Sequence, residues 1–210
     1  MVHCARLTLA ILAAAFCLLS ASGPSALAQA EWINAVRQGG HVIVFRHGAT
    51  HRDQADTDPF HPDNVAQQRQ LNDQGRAAAK AMGESMRKLK IPVASVQTSL
   101  YFRAVETGKL LGFGDVTSTA DITEGGLVVS PNENSRRQAA MRKLASTAPP
   151  AGGNVILVSH KPNILDAFGK DWIDIREGES SIFKPDGNGG YTLLTRVQAD
   201  QWSKFAQAVN

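Results

Sequence analysis

His41-Val42-Ile43-Val44-Phe45-Arg46-His47-Gly48 is the stretch that decides how this chain is read. Four consecutive apolar residues, Val42 to Phe45, form the continuous run of a strand buried on both faces. The run ends abruptly on Arg46-His47-Gly48. A second stretch, Asn154-Val155-Ile156-Leu157-Val158-Ser159-His160, has the same design: an apolar run, then a histidine at once. In open α/β sheets, ligands bind in the crevice beyond the carboxyl ends of the strands. If the two strands run parallel in one sheet, His47 and His160 share that crevice. The competing reading is a pair of unrelated loop histidines.

Outward from these two runs, strands and helices alternate. Apolar spacing and end signals predict helices over residues 30–38, 72–90, 100–111, 133–145, 162–168 and 200–208. Gly39-Gly40 and Gly112 stop the first and third. Asn72 can cap the second, whose inward face is expected to carry Ala77, Ala81, Met82, Met86 and Leu89. In the fourth, Ala139, Ala140 and Leu144 are expected to point inward. Further strands are expected at 93–97 and 116–119, with a terminal antiparallel pair at 180–183 and 191–197 around a Gly-rich turn. The polar segment 48–70 is a loop. This order implies an α/β fold, a mainly parallel central sheet covered on both faces. Pro149-Pro150-Ala151-Gly152-Gly153 is too short for an interdomain linker, so residues 29–210 are read as one domain.

Composition narrows the function. The 210 residues are 43% hydrophobic and 20% charged, ordinary values for a globular protein. Lys and Arg number 22 against 19 Asp and Glu, an excess of +3 that is scattered along the chain. Such a balance gives no nucleic-acid footprint. Residues 1–28 read as an export signal: Arg6 in a basic start, an apolar run over 7–19, and Ala26-Leu27-Ala28 before the cleavage point. The run falls short of the roughly 20 residues needed to span a bilayer; an uncleaved anchor is the alternative. The bulky Phe16 before Cys17 argues against lipidation there. Cleavage would leave no membrane association and would remove Cys4 and Cys17, the chain's 2 cysteines. Chemistry in the remainder would then use no cysteine nucleophile and no cysteine-ligated metal. The expected location is periplasmic or secreted.

A third cation lies at the end of the strand expected at 93–97. Arg103 falls in the first turn of the following helix, where a positive charge opposes the helix dipole unless an anion offsets it. Its bland role is a surface pair with Glu106. Two arginines and two histidines converging read as a phosphate site. The planar guanidinium fork matches phosphate oxygens bidentately. Nearby guanidinium charge keeps an imidazole neutral, and a neutral imidazole can attack phosphorus.

Arg46-His47-Gly48, Leu71-Asn72-Asp73-Gln74-Gly75-Arg76, Arg103-Ala104-Val105-Glu106-Thr107 and Val158-Ser159-His160 occur in that order. The set resembles the histidine phosphatase superfamily, also called phosphoglycerate mutase-like. The resemblance covers about residues 40–163. It implies a three-layer α/β/α sandwich, a phosphohistidine on His47, and a phosphate pocket of Arg46, Arg103 and His160. Gly48 lets the chain turn sharply and approach a ligand closely; the resemblance further implies that Thr50 contacts the phosphate, that the substrate is a small phosphorylated molecule, and that neither metal nor organic cofactor is used.

The departures bear on the proton donor. Where the phytase and acid phosphatase branch has Asp after its second histidine, this chain has Lys161. The mutase-type branch takes its acid from a glutamate after the third strand. Glu124 is the candidate and Glu133 the runner-up; the third option is a compact member with no dedicated acid, acting on good leaving groups.

Other features read blandly. His51, His61 and the nearby aspartates do not match a metal-loop spacing. Arg136 and Arg137 suit a solvated helix face, and Trp32, Trp172 and Trp202 suit packing. The expected function is an exported phosphatase of phosphomonoesters, with envelope sugar phosphates suggested by the compartment alone. A phosphomutase and a non-catalytic phosphate-binding protein are the alternatives; expected export and the lack of a mutase-type insertion weigh against the first.

Overall fold

A computed structural model describes residues 24–125 and 128–208. The expected leader lies outside the described residues up to position 23, and so do Cys4 and Cys17. Six strands form one sheet in the order β3-β2-β4-β1-β5-β6. They are β1 (Val42–Arg46), β2 (Val93–Ser99), β3 (Val116–Thr119), β4 (Asn154–Ser159), β5 (Ser180–Pro185) and β6 (Tyr191–Val197). The first four run parallel; β5 and β6 add an antiparallel hairpin beside β1. The central pair is where the apolar runs predicted it: Val42 to Phe45 and Ile156 to Val158 have no exposed surface.

Among the described residues, six α-helices cover the sheet: α1 (Pro24–Arg37), α2 (Asp73–Lys88), α3 (Phe102–Leu111), α4 (Pro131–Ser146), α5 (Lys161–Phe168) and α6 (Ala199–Gln207). On one face, side chains of α1, α2, α3 and α6 pack with Ile43 and Phe45 of β1. On the other, α4 and α5 pack with Val42 and Val44. Alternate residues of one strand thus feed two cores, the three-layer arrangement. The tryptophans are packing residues: Trp32 meets Trp202 edge-on at 5.7 Å, and Trp172 stacks near Phe183 at 6.1 Å.

Some expectations need correction. The first helix starts at Pro24, not at residue 30, because proline in a first turn lacks only an N–H that would stay unbonded there. Ala77 is exposed, and the buried face of α2 runs Gly75, Ala79, Met82, Gly83, Met86. That face is set by close backbone approach, which an apolar count misses: a Cβ on Gly83 would lie 2.0 Å from the Leu111 carbonyl oxygen. Ala139 is also exposed, since Met141 and Ala145 carry the inward face of α4.

Strand register positions the functional residues. Arg46 pairs with Ser159, so the next residue on each strand leaves the sheet at the same level. The His47 N–H donates to the Ser159 carbonyl at 3.0 Å. The start of α2 abuts this exit: Asn72 caps it through Gly75 N–H, and a Cβ on Gly75 would sit 2.1 Å from the Ala49 oxygen.

Candidate active site

His47 follows β1 and is almost fully buried. Its Nδ1 lies 2.8 Å from the carbonyl oxygen of Gly48. A carbonyl only accepts, so Nδ1 carries the proton and Nε2 holds the lone pair. The Gly48 N–H donates to Thr107 Oγ1 at 3.0 Å, and that hydroxyl donates to the Arg103 carbonyl at 2.7 Å. The turn after β1 is thereby tied to α3. The small size of Gly48 serves approach to α2, since a Cβ there would lie 3.1 Å from Gly75 O.

His160 follows β4 and has no exposed surface. The two imidazoles have ring centroids 5.2 Å apart, inclined at 58°. His160 Nε2 lies 2.7 Å from Ser99 Oγ, and that oxygen accepts the Tyr101 N–H at 3.1 Å. The Glu124 carboxylate on the far side of the ring favours the imidazole proton on Nδ1, which leaves Nε2 to accept from the Ser99 hydroxyl. Nδ1 has no hydrogen-bond partner and faces Glu124 Oε1 at 3.3 Å. The Tyr101 ring packs edge-on against His160 at 5.5 Å.

Arginines surround the pair. Arg103 is fully buried, bonded through one nitrogen to Asp56 Oδ1 at 2.9 Å and through another to Glu124. Its guanidinium lies over the Tyr101 ring, 4.5 Å from the centroid. Arg46 donates to the Ile175 carbonyl at 2.8 Å and sits 3.6 Å from Glu177. The Nε atoms of both arginines are buried without an acceptor. Leaving such a charged donor unpaired costs about 1–3 kcal/mol or more, which an oxyanion would offset. Arg69 reaches the same place: it donates to Thr50 Oγ1 at 2.8 Å, and Thr50 donates to Glu177 at 2.9 Å.

The electrostatics follow from burial and these cations. Burial, His160, Arg103 and Arg46 together hold the His47 imidazolium well below its ordinary pKa. Burial, Arg103, Arg69 and Arg46 do the same to His160. Both rings are neutral at neutral pH. One can be a nucleophile and the other a hydrogen-bond donor, in a setting shaped for a multiply charged oxyanion.

Arg46, His47, Arg103, His160 and Glu124 are brought together, with Thr50 at their edge. Glu133 is not among them: Arg136 and Arg137 hold it, and its pKa is lowered to about 2. Glu106 pairs with Arg76 at 2.8 Å rather than with Arg103. Lys161 opens α5 and is half-buried. His61 pairs with Asp58 on the surface at 2.7 Å. The described residues hold no group of three or more His, Cys, Asp or Glu able to bind a metal, and no helix among them is long and apolar enough to cross a membrane. Sequence reasoning missed Asp56, Arg69, Ser99 and Glu177. Arg69 stands two residues before Leu71 of a motif already singled out; the other three carried no local signal.

No protein-family profile and no curated protein matches the sequence. Solved structures do match its fold. The protein histidine phosphatase SixA, complexed with tungstate, is 19% identical with a TM-score of 0.54, over 77% of this chain and 98% of that one. A mycobacterial glucosyl-3-phosphoglycerate phosphatase complexed with inorganic phosphate is 18% identical with a TM-score of 0.53, over 77% and 99%. A phosphoserine phosphatase mutant from Entamoeba histolytica, in complex with phosphoserine, is 15% identical with a TM-score of 0.51, over 76% and 97%. These neighbours are phosphatases, and the fold of this chain is the α/β fold they share.

Proposed function

We propose that this chain is a phosphatase that hydrolyses phosphomonoesters through a phosphohistidine on His47. The observation that carries the reading is the hydrogen bond from His47 Nδ1 to Gly48 O, which leaves the Nε2 lone pair free in a site also built from His160, Arg46 and Arg103. Nε2 attacks phosphorus and the ester P–O bond breaks. The phosphoryl oxygens take the unpaired donors of Arg46 and Arg103 and the Nδ1–H of His160. As phosphate oxygens replace carboxylates on Arg103, Glu124 is released toward the leaving oxygen and, in its protonated form, gives it a proton. Water then attacks the phosphohistidine, Glu124 takes the proton back, and inorganic phosphate leaves. The reading gains support from the solved phosphatases of the same fold that hold tungstate, phosphate or phosphoserine.

The leader-like residues 1–28 support export to the periplasm or beyond, and so an envelope substrate; sugar phosphates follow from that compartment alone. The test is hydrolysis of an aryl phosphate by the purified protein. Turnover that persists in chelator and disappears in His47→Ala supports the reading. Phosphate transfer that exceeds release points to a mutase. Tight phosphate binding without turnover points to a binding protein, a reading that the engagement of Glu124 by Arg103 favours.

A further inference from the structure

Beside the histidine pair lies a cleft of about 240 Å³ that shares Tyr101 and Glu124 with the site. Its volume is many times the roughly 30 Å³ of a water molecule. Its walls come from three separate parts of the chain. Pro59 and Phe60 belong to the long loop, Leu100 and Tyr101 to the turn after β2, and Val128 and Val129 to the segment before α4. Phe60 is 72% exposed, a large apolar side chain held at the mouth of the cleft with little to cover it.

Much of the polar lining of the cleft is already engaged within the protein; the Tyr101 hydroxyl is the main exception. Thr123 Oγ1 donates to the Thr119 carbonyl and accepts from the Leu100 N–H. Arg137 donates to Glu133 and to the Thr123 carbonyl, each at 2.8 Å, so its charge is matched by a carboxylate. Glu124 faces Arg103 and His160. Among its described lining residues the cleft therefore offers mostly apolar surface, and the charge of Arg137 is matched by a carboxylate. A sugar or an acid placed here would lose water and regain few of its hydrogen bonds.

We propose that this cleft holds the alcohol portion of the substrate, and that the preferred substrates are phosphomonoesters of uncharged aromatic or apolar alcohols. The proposal rests on the phosphatase reading for its catalytic meaning but concerns binding. It separates this chain from neighbours whose ligands are phosphoserine or phosphoglycerate.

Three alkyl phosphates test it: 3-phenylpropyl phosphate, propyl phosphate and glycerol 3-phosphate, titrated calorimetrically into the full-length His47→Ala protein, which lacks the nucleophile. The expected result is that 3-phenylpropyl phosphate binds at least about tenfold tighter than propyl phosphate, with glycerol 3-phosphate no tighter than propyl. Tenfold is about 1.4 kcal/mol, and at roughly 25 cal/mol per Å² that needs only about 55 Å² of apolar burial. Adding Phe60→Ser, at an exposed position, or separately Val128→Ser, lowers the ratio toward one. Equal affinities for the phenylpropyl and propyl esters, or binding of neither, overturn the proposal. Wild-type turnover of the same esters judges the phosphatase reading apart from it. Preference without turnover sinks catalysis and keeps the cleft; turnover without preference does the reverse.

Discussion

The buried guanidinium of Arg103 is bonded to the carboxylate of Glu124, which also lies 3.3 Å from Nδ1 of His160. The candidate acid thus sits on the groups that would hold the phosphoryl oxygens, and in the proposed reaction substrate binding would also release the acid. Glu124→Gln is expected to lower kcat/KM for alkyl phosphates by about 10²–10⁴-fold, the usual contribution of a positioned proton donor. Aryl phosphates, whose leaving groups need little protonation, should lose less than about tenfold. Equal losses on both classes would show that Glu124 does not donate the proton.

Arg103 ties Asp56 to Glu124 through its guanidinium. Arg103→Lys keeps a charge but loses the planar fork that reaches Asp56 and Glu124 at once. It is expected to cost about 10²-fold or more in kcat/KM, the scale of losing a transition-state donor. Arg103→Ala leaves two partly buried carboxylates without their partner. It is expected to lower stability by about 3–5 kcal/mol in urea titration.

Arg69 carries charge into the pocket through Thr50. Arg69→Ala should weaken competitive inhibition by inorganic phosphate by about tenfold, the scale of one charged hydrogen bond. Fold stability, followed by circular dichroism, should move little, since Arg69 is only half-buried. Unchanged phosphate inhibition would remove Arg69 from the site.

The pH dependence of stability has a definite sign. His41, His47 and His160 are all held below the ordinary histidine pKa of 6.5, chiefly by burial. Below that value the unfolded chain takes up protons that the folded chain refuses, so stability is full above it and falls as pH drops. Each such histidine contributes up to about 1.4 kcal/mol per pH unit there. His61, raised by Asp58 at the surface, acts weakly in the opposite direction. Urea midpoints measured from pH 7.5 to 5.5 should decline, and less steeply in His160→Asn. A flat profile would mean that these rings accept protons in the fold.

Fold and site were unequally legible in the sequence. The apolar runs ending at Arg46 and Ser159 announce buried strands because they are short, rich in Val and Ile and cut off at once by polar residues, and the histidines follow them directly. Registering one strand against the other then brings His47 to His160. The faces of α2 and α4 were partly misread, because Gly83 and Ala139 do not show by hydropathy alone which side meets another backbone. Asp56, Glu177 and Ser99 were invisible for a different reason. They reach the arginines and His160 through contacts far apart in the chain, such as Asp56 with Arg103 and Ser99 with His160, and no local pattern encodes those pairs.

The central claim is that His47 Nε2 becomes covalently phosphorylated. Rapid acidification is unsuitable, because phosphohistidine is acid-labile; alkaline quench of the protein during turnover, followed by peptide mass spectrometry, reads it directly. The account predicts a phosphoryl group on the peptide containing His47, forming in a burst no slower than turnover and absent from His47→Ala. Steady hydrolysis with that peptide unmodified throughout, or the label found on His160 instead, would contradict it.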